Sequence, residues 1–228
     1  MSILYDITIP LQPGLAVWPG DTPYQSVLSW DMSAGGSVNV GAVTMSTHTG
    51  THVDAPFHFD PDGARVDTLD PAIFFGPVAV VDAAGRGIIG QDAFDGVDFR
   101  ATPRVLIYTG AWGDHTRFPE TIPTLAEDVP PFLGANGVCL FGIDLPSVDA
   151  LDSSILPNHH ALARQKIAIL ESVDLRLVPV GVYQLIALPL RLAGADASPV
   201  RAILTRQATP GEQLTPRENC FDIIPPES

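Results

Sequence analysis

Cysteine is nearly absent from this chain. Cys139 and Cys220 are the only two in 228 residues, so one disulfide is the most it could form, and no framework of them can hold the fold. Cys139 sits in the apolar run GVCLFGID, where a buried thiol is the expected reading. This sparing use of cysteine fits a reducing, cytoplasmic setting. Basic residues are scarce too: 12 Lys and Arg stand against 26 Asp and Glu, for a formal net charge of −14. Such a surface repels phosphate backbones and anionic lipid, which argues against nucleic acid and acidic membranes as partners. Long apolar runs are missing, and none approaches the roughly 20 residues needed to span a bilayer. The opening MSILYDITIPLQPG has no basic stretch and is broken at Pro10 and Pro13, so it does not read as a signal peptide. No Gly-x-Ser-x-Gly occurs; the nearest string, GGSVNVG, lacks the final glycine in register, which argues against a serine esterase.

What is present is an apolar, turn-rich chain. Hydrophobic residues make up 46% of it, enough for the core of one medium domain. The 22 prolines and 20 glycines are spread along the whole length, as expected for many short elements joined by fixed turns. Strand-like runs fall at 3–11, 39–47, 76–84, 104–110, 137–144, 183–192 and 198–206. Several are nearly continuous in Val, Ile and Leu, as in strands covered on both faces. Helical patterns are fewer and short, at 68–75, 124–137 and 158–166, and residues 144–154 read as a loop with Asx-type turns. The expected class is α/β and strand-rich. The polar, Pro-bearing tail at 209–228 reads as frayed.

The stretch HTGTHVDAPFH holds three of the six histidines within eleven residues, His48 to His58. On an extended strand His48 and His52 would lie about 13 Å apart at ~3.3 Å per residue, too far to share an ion. Sharing one therefore requires a sharp turn. Gly50, midway, permits it, and the hydroxyls of Thr49 and Thr51 can anchor it. Pro56 stiffens the exit towards His58. Imidazole with carboxylate and no thiolate suits zinc or manganese. Two histidines and Asp54 leave a coordination position open, as catalytic sites do. A carboxylate can also bridge two metals, which directs attention to His159, His160 and Glu171. Glu171 follows the apolar run IAIL; either it is buried and paired or bound to metal, or it opens a solvated turn.

These residues resemble a known family. HTGTHVDAPFH matches the His-x-Gly-Thr-His-x-Asp-x-Pro-x-His signature of the metal-dependent cyclase superfamily, which includes bacterial kynurenine formamidases and isatin hydrolases. The likeness to the formamidases runs over about residues 3 to 205, through WPGDTPY, GSVNVG, HFDPDG, GIDLPSVD, HHALARQKIAILE and YQLIALPLRLAGADASPVRAIL. The resemblance implies a swivelling β/β/α-type single domain over residues 1–206, with 207–228 as an extension of no assigned role, and a homodimer. It implies two zinc ions per subunit, with manganese or another divalent ion as alternatives: His48, His52 and Asp54 on the first, and Asp54, Glu171 and His159 on the second. His160 does not fit the family spacing and goes to the surroundings or the surface. His58 would carry the proton, and Trp18 would line the aromatic end of the pocket, with Phe57 or Phe59 near. The implied reaction is hydrolysis of N-formyl-L-kynurenine, a small aryl formamide, to L-kynurenine and formate.

Two other readings compete. An isatin hydrolase-like enzyme with a single metal would be expected to lack the second carboxylate–histidine pair, and His159 and Glu171 are both present. A non-catalytic metal or ligand binder would have no use for His58. Asp21, Asp60, Asp62 and Asp67 read as turn residues. Arg191 and Arg201 read as ion-pair partners rather than as contacts to a substrate carboxylate.

Overall fold

The Val, Ile and Leu runs form the middle of a nine-stranded mixed sheet. The computed structural model describes residues 2–207. Residues 208–228, with Cys220 and nearly all of the expected extension, lie outside the described residues. The strands are β1 (Ser2–Asp6), β2 (Gln25–Trp30), β3 (Val40–Thr44), β4 (His52–Asp54), β5 (Phe75–Asp82), β6 (Ile88–Ile89), β7 (Arg104–Tyr108), β8 (Thr124–Leu125), β9 (Leu140–Ile143), β10 (Ala168–Glu171), β11 (Gly181–Ile186), β12 (Ala197–Pro199) and β13 (Ile203–Gln207). Among the described residues, two short helices, α1 (Val129–Ala135) and α2 (Pro157–Arg164), complete a strand-rich α/β domain.

The sheet order is β1-β13-β11-β5-β7-β9-β10-β4-β12. The central β5, β7, β9 and β10 run parallel, and the flanking pairs are antiparallel. Two cores sandwich it. Val81, Val105, Ile107, Phe141, Ile143 and Ile169 face one, which also receives Leu133 from α1 and Leu162 from α2. Their alternating neighbours Val80, Leu106, Leu140 and Leu170 face the other. The period-2 alternation of a strand explains the unbroken apolar runs: both faces are buried, so both parities are apolar.

Several expected bounds shift for local reasons. The helix expected at 124–137 shrinks to α1, because residues 124–125 pair as β8 and a proline pair is tolerated only at a helix start. The pattern at 68–75 yields two single 3₁₀ turns, Val66–Thr68 and Pro71–Phe74, rather than a helix. The run at 198–206 divides into β12 and β13. The strand expected to reach 192 stops at Ile186. The strands β2, β4, β6, β8 and β10 are additional. β4 carries the site: three residues long and fully buried, it is clamped between β10 and β12.

Candidate metal centre and its pocket

On β4, His52 and Asp54 point to one face while Val53 points to the opposite core. Glu171, the last residue of β10, is the register partner of His52, so cross-strand pairing brings the two side chains together. Glu171 is 3% exposed, which decides between the two readings left by the sequence in favour of burial. Just before β4 the chain turns at residues 47–50, with Gly50 at φ +67°. The turn brings the His48 and His52 rings to 4.9 Å between centroids. Thr51 anchors it as expected: its hydroxyl donates to Ser172 O at 2.5 Å and accepts from Ile9 N at 2.9 Å. Thr49 does not. Its buried hydroxyl has no hydrogen-bond partner among the described residues, so its contribution is packing.

His159 arrives from the first turn of α2. Asp149, in the loop before that helix, accepts from the backbone N–H of Asn158 and of His159 at 2.8 and 3.1 Å. It therefore does the work of an N-cap from a distance, satisfying amides the helix leaves unpaired. The same carboxylate lies 2.7 Å from His159 Nδ1. An acceptor at one ring nitrogen places the proton there and leaves the other nitrogen its lone pair. Each inner histidine is held in this way. His52 Nδ1 is bonded to Gly50 O at 2.8 Å, and His48 Nε2 to Asp196 Oδ2 at 3.1 Å.

The inner nitrogens converge on the two carboxylates. His48 Nδ1 and His52 Nε2 lie 3.1 and 3.3 Å from Asp54 Oδ1. His159 Nε2 lies 3.5 Å from Asp54 Oδ2 and 3.6 Å from Glu171 Oε1. Asp54 thus presents one oxygen to each side. Acceptors facing acceptors require a cation between them. Both Asp54 oxygens and His52 Nε2 are buried with no hydrogen-bond partner among the described residues, and such orphaned groups are costly unless an ion satisfies them. The nitrogen and oxygen donors, with no sulfur, fit a zinc- or manganese-like divalent ion. His52, Asp54 and Glu171 can offer three ligand atoms within 4.8 Å of one another, and so can His48, Asp54 and His58.

The charges show the same demand. Burial disfavours the imidazolium of His48, but Asp196 and Asp54 outweigh it and push its pKa up to about 10. His159 is likewise raised to about 10 against its burial, by Asp149, Asp54 and Glu171. Burial and the neighbouring Asp54 raise Glu171 to about 7, against the pull of the histidines. In the absence of metal, protons take the place of the cation. His58 differs: burial lowers its pKa, and its side chain, 33% exposed, is the most open of the four histidines.

Above the cluster opens a cavity of about 310 Å³. Its walls include Trp18, Trp112 and Phe118, and its floor includes His48, His58, His159 and Glu171. Trp18 is 41% exposed, not a core residue, and meets Phe118 edge-on at 5.2 Å between centroids. The aromatic neighbours differ from those expected. Phe57 lies under the Arg65 guanidinium, and Phe59 packs on the rings of His159 and His160. Trp112 and Phe118 take their place, from a segment where the sequence offered no site signal. Arg201 pairs with Asp6, and neither it nor the exposed Arg191 lines the cavity. Asp60 caps its turn through Asp62 N, Asp67 instead reaches across the chain to accept from Gly194 N, and Asp21 accepts from Thr22 N while also lining the cavity. Asp149 and Asp196 were missed as positioning groups, although GIDLPSVD and GADASP contain them.

Known proteins are similar to this chain in sequence and in fold. Residues 5–150 match the model of the Cyclase family. The kynurenine formamidase of Geobacillus thermodenitrificans is 52% identical over 206 residues, which cover 90% of this chain and 99% of that protein. A solved structure described as a "Potential Metal-Dependent Hydrolase With Cyclase Activity" superposes with a TM-score of 0.78 at 26% identity, over 92% of this chain and 100% of that one. Isatin hydrolase A from Ralstonia solanacearum shares the fold, with a TM-score of 0.75 at 23% identity over 90% and 92% of the two chains. The extent of the family match, and an identity above one half along nearly the whole of a relative, show that this chain belongs to the Cyclase family, in its kynurenine formamidase group.

Proposed function

We propose that the protein is a metal-dependent arylformamidase that hydrolyses N-formyl-L-kynurenine to L-kynurenine and formate, a step of tryptophan degradation. The observation that carries this reading is the set of three imidazole nitrogens aimed at two buried carboxylates beneath an aromatic-walled cavity. The similarity to a kynurenine formamidase supports the choice of substrate. His48, His52 and Asp54 would hold one zinc ion and Asp54, His159 and Glu171 a second; manganese or another divalent ion suits the same donors. Bound there, such ions supply Lewis acidity and lower the pKa of water.

The chain's own residues do the rest. Trp18, Trp112 and Phe118 take the aryl ring, with edges and faces that suit aromatic packing. This directs the formamide towards the histidine floor. The leaving group is an aniline, which departs poorly as an anion, so its nitrogen must be protonated. His58 lines the cavity and is used for this transfer. The test is an absorbance assay with N-formylkynurenine, isatin and simple N-formylanilines, with and without chelator, beside metal analysis. The expected result is chelator-sensitive turnover of N-formylkynurenine and two metals per chain. Preference for isatin would replace this reading with ring-amide hydrolysis, and one metal or none would remove the dinuclear assignment.

Two further assignments belong to the same proposal. The protein acts as a homodimer, supported by a fully exposed apolar hairpin, β2–β3. It works in the cytoplasm, where its low cysteine use is at home; no described helix is long and apolar enough to cross a membrane.

A further inference from the structure

Asp196 belongs to none of the ligand sets above, yet it touches two of the histidines. Its position is fixed twice. Its backbone carbonyl accepts from Ala55 N at 2.8 Å, tying it to the residue after Asp54. Its side-chain Oδ1 accepts from Thr47 Oγ1 at 3.0 Å. That leaves Oδ2 to face the site, 3.1 Å from His48 Nε2 and 3.8 Å from His58 Nδ1. The two rings lie against each other, with centroids 4.1 Å apart. A single carboxylate oxygen therefore addresses a metal-facing histidine and the histidine assigned to proton transfer.

Each contact has a distinct consequence. A ligand imidazole needs its outer N–H held, so that the ring stays oriented and the inner nitrogen keeps its lone pair. For His48, Asp196 is that holder, and Nδ1 is left facing Asp54. For His58, at 3.8 Å and beyond hydrogen-bond range, the carboxylate acts through its charge, which favours the proton on the nearer Nδ1 and leaves Nε2 for the reacting groups. We propose that Asp196 is the positioning residue shared by these two histidines, orienting His48 for metal and fixing the tautomer of His58 that works through Nε2. The His58 half of this rests on the arylformamidase reading; the His48 half does not.

The proton path balances. His58 Nε2 takes a proton from the water that attacks the formyl carbon, and Asp196 faces the imidazolium so formed. The same proton then passes from Nε2 to the amide nitrogen as the C–N bond breaks and its electron pair goes to nitrogen. The neutral aniline and formic acid leave, the acid losing its remaining proton to solvent to become formate, and His58 is neutral again with its proton on Nδ1.

The experiment uses Asp196→Ala and Asp196→Asn in the full-length protein, with Asp196→Glu as rescue. The first readout is zinc retained per chain during titration with a chelator. Loss of an outer partner of a ligand histidine typically weakens metal binding about 10- to 100-fold, and that range is expected for Asp196→Ala; unchanged retention overturns the role at His48. The second readout, at saturating zinc, is kcat across N-formylanilines with graded leaving groups. A 4-nitroaniline nitrogen needs less help from a proton than an unsubstituted one. The Asp196→Ala loss is therefore expected to be about 100-fold on N-formylaniline and under about tenfold on the nitro compound, given the usual size of proton-transfer effects. An equal loss across the series overturns the role at His58, and recovery of the gradient by Asp196→Glu supports it. A wild-type enzyme inactive on every formanilide overturns the arylformamidase reading and the His58 role with it, while the chelator titration still decides the role at His48.

Discussion

Each inner histidine is held by a different kind of acceptor: a backbone carbonyl for His52, a buried aspartate for His159 and a half-exposed aspartate for His48. All three then confront carboxylates, which fixes how the metal-free protein responds to pH. The folded-state pKa values of His48 and His159 rise from 6.5 to about 10. A raised folded pKa means that protonation favours the folded state. That stabilisation is complete below about pH 6.5 and is lost as pH climbs through about 10. Glu171, raised from 4.5 to about 7, works in the same direction over its own interval, because its ionised form is disfavoured in the folded protein. Chelator-stripped protein should therefore show a melting temperature that falls steadily from pH 6.5 to 10. Metal-loaded protein, in which ions replace those protons, should show a much flatter profile in the same scan. A flat profile for the stripped protein would contradict the electrostatics described for the site. Substitution separates the roles further. His58→Ala should keep its metal and lose about 10²- to 10⁴-fold in turnover, the usual range for a general acid–base, whereas Glu171→Gln should lose the proposed second metal first, read by metal analysis after dialysis. His48, His52, Asp54 and His58 were legible because histidine is rare in this chain and dense in that stretch. Asp149 and Asp196 were not, because an aspartate in a turn is common and only the folded chain shows what it faces.

At the scale of elements, the geometry of the turn before β4 decides whether the cluster exists. Gly50 at φ +67° adopts a conformation that costs other residues roughly 1–2 kcal/mol. An added Cβ there would also sit 2.9 Å from Leu11 Cδ2. Gly50→Ala should destabilise the protein by about that strain and displace His48, so that metal retention falls more than the melting temperature does. If retention is unchanged, the turn is not what places His48. Within the sheet, Gly142 in β9 leaves no room for a methyl group: a Cβ would come 2.3 Å from Leu106 Cδ2. Gly142→Ala should therefore cost about 1–3 kcal/mol by overpacking, measured by denaturant unfolding. Of the central strands, β5, β7 and β9 were legible because both of their faces are apolar, while β10 was not among the expected strands. β4 was not: His-Val-Asp is too short and too polar to read as a strand, and only its neighbours β10 and β12 make it one. The same pairing places Glu171 opposite His52, a proximity that no spacing along the chain reveals.

At the scale of the molecule, the hairpin β2–β3 stands apart from both cores. Every residue of its two strands is exposed, including Val27, Leu28, Trp30 and Val43, with Met32 in the turn between them. A lone two-stranded hairpin is marginal in water, and exposed apolar area of this kind marks an interaction surface. Its sequence showed only that one run could pair; it did not show that the pair would be left uncovered. Charge points to the occupant. Two copies, each at −14, repel across most of their surfaces, yet residues 25–44 contain Asp31 as their one charged side chain. If two copies associate, as proposed, this hairpin is a surface on which they can meet with little charge repulsion. Sedimentation velocity should show a species of twice 24.2 kDa. Val27→Glu combined with Trp30→Glu should convert it to monomer, because each dimer would then bury like charges at its centre. A wild-type monomer at micromolar concentration, or a dimer indifferent to both glutamates, would rule out the hairpin as the interface between copies.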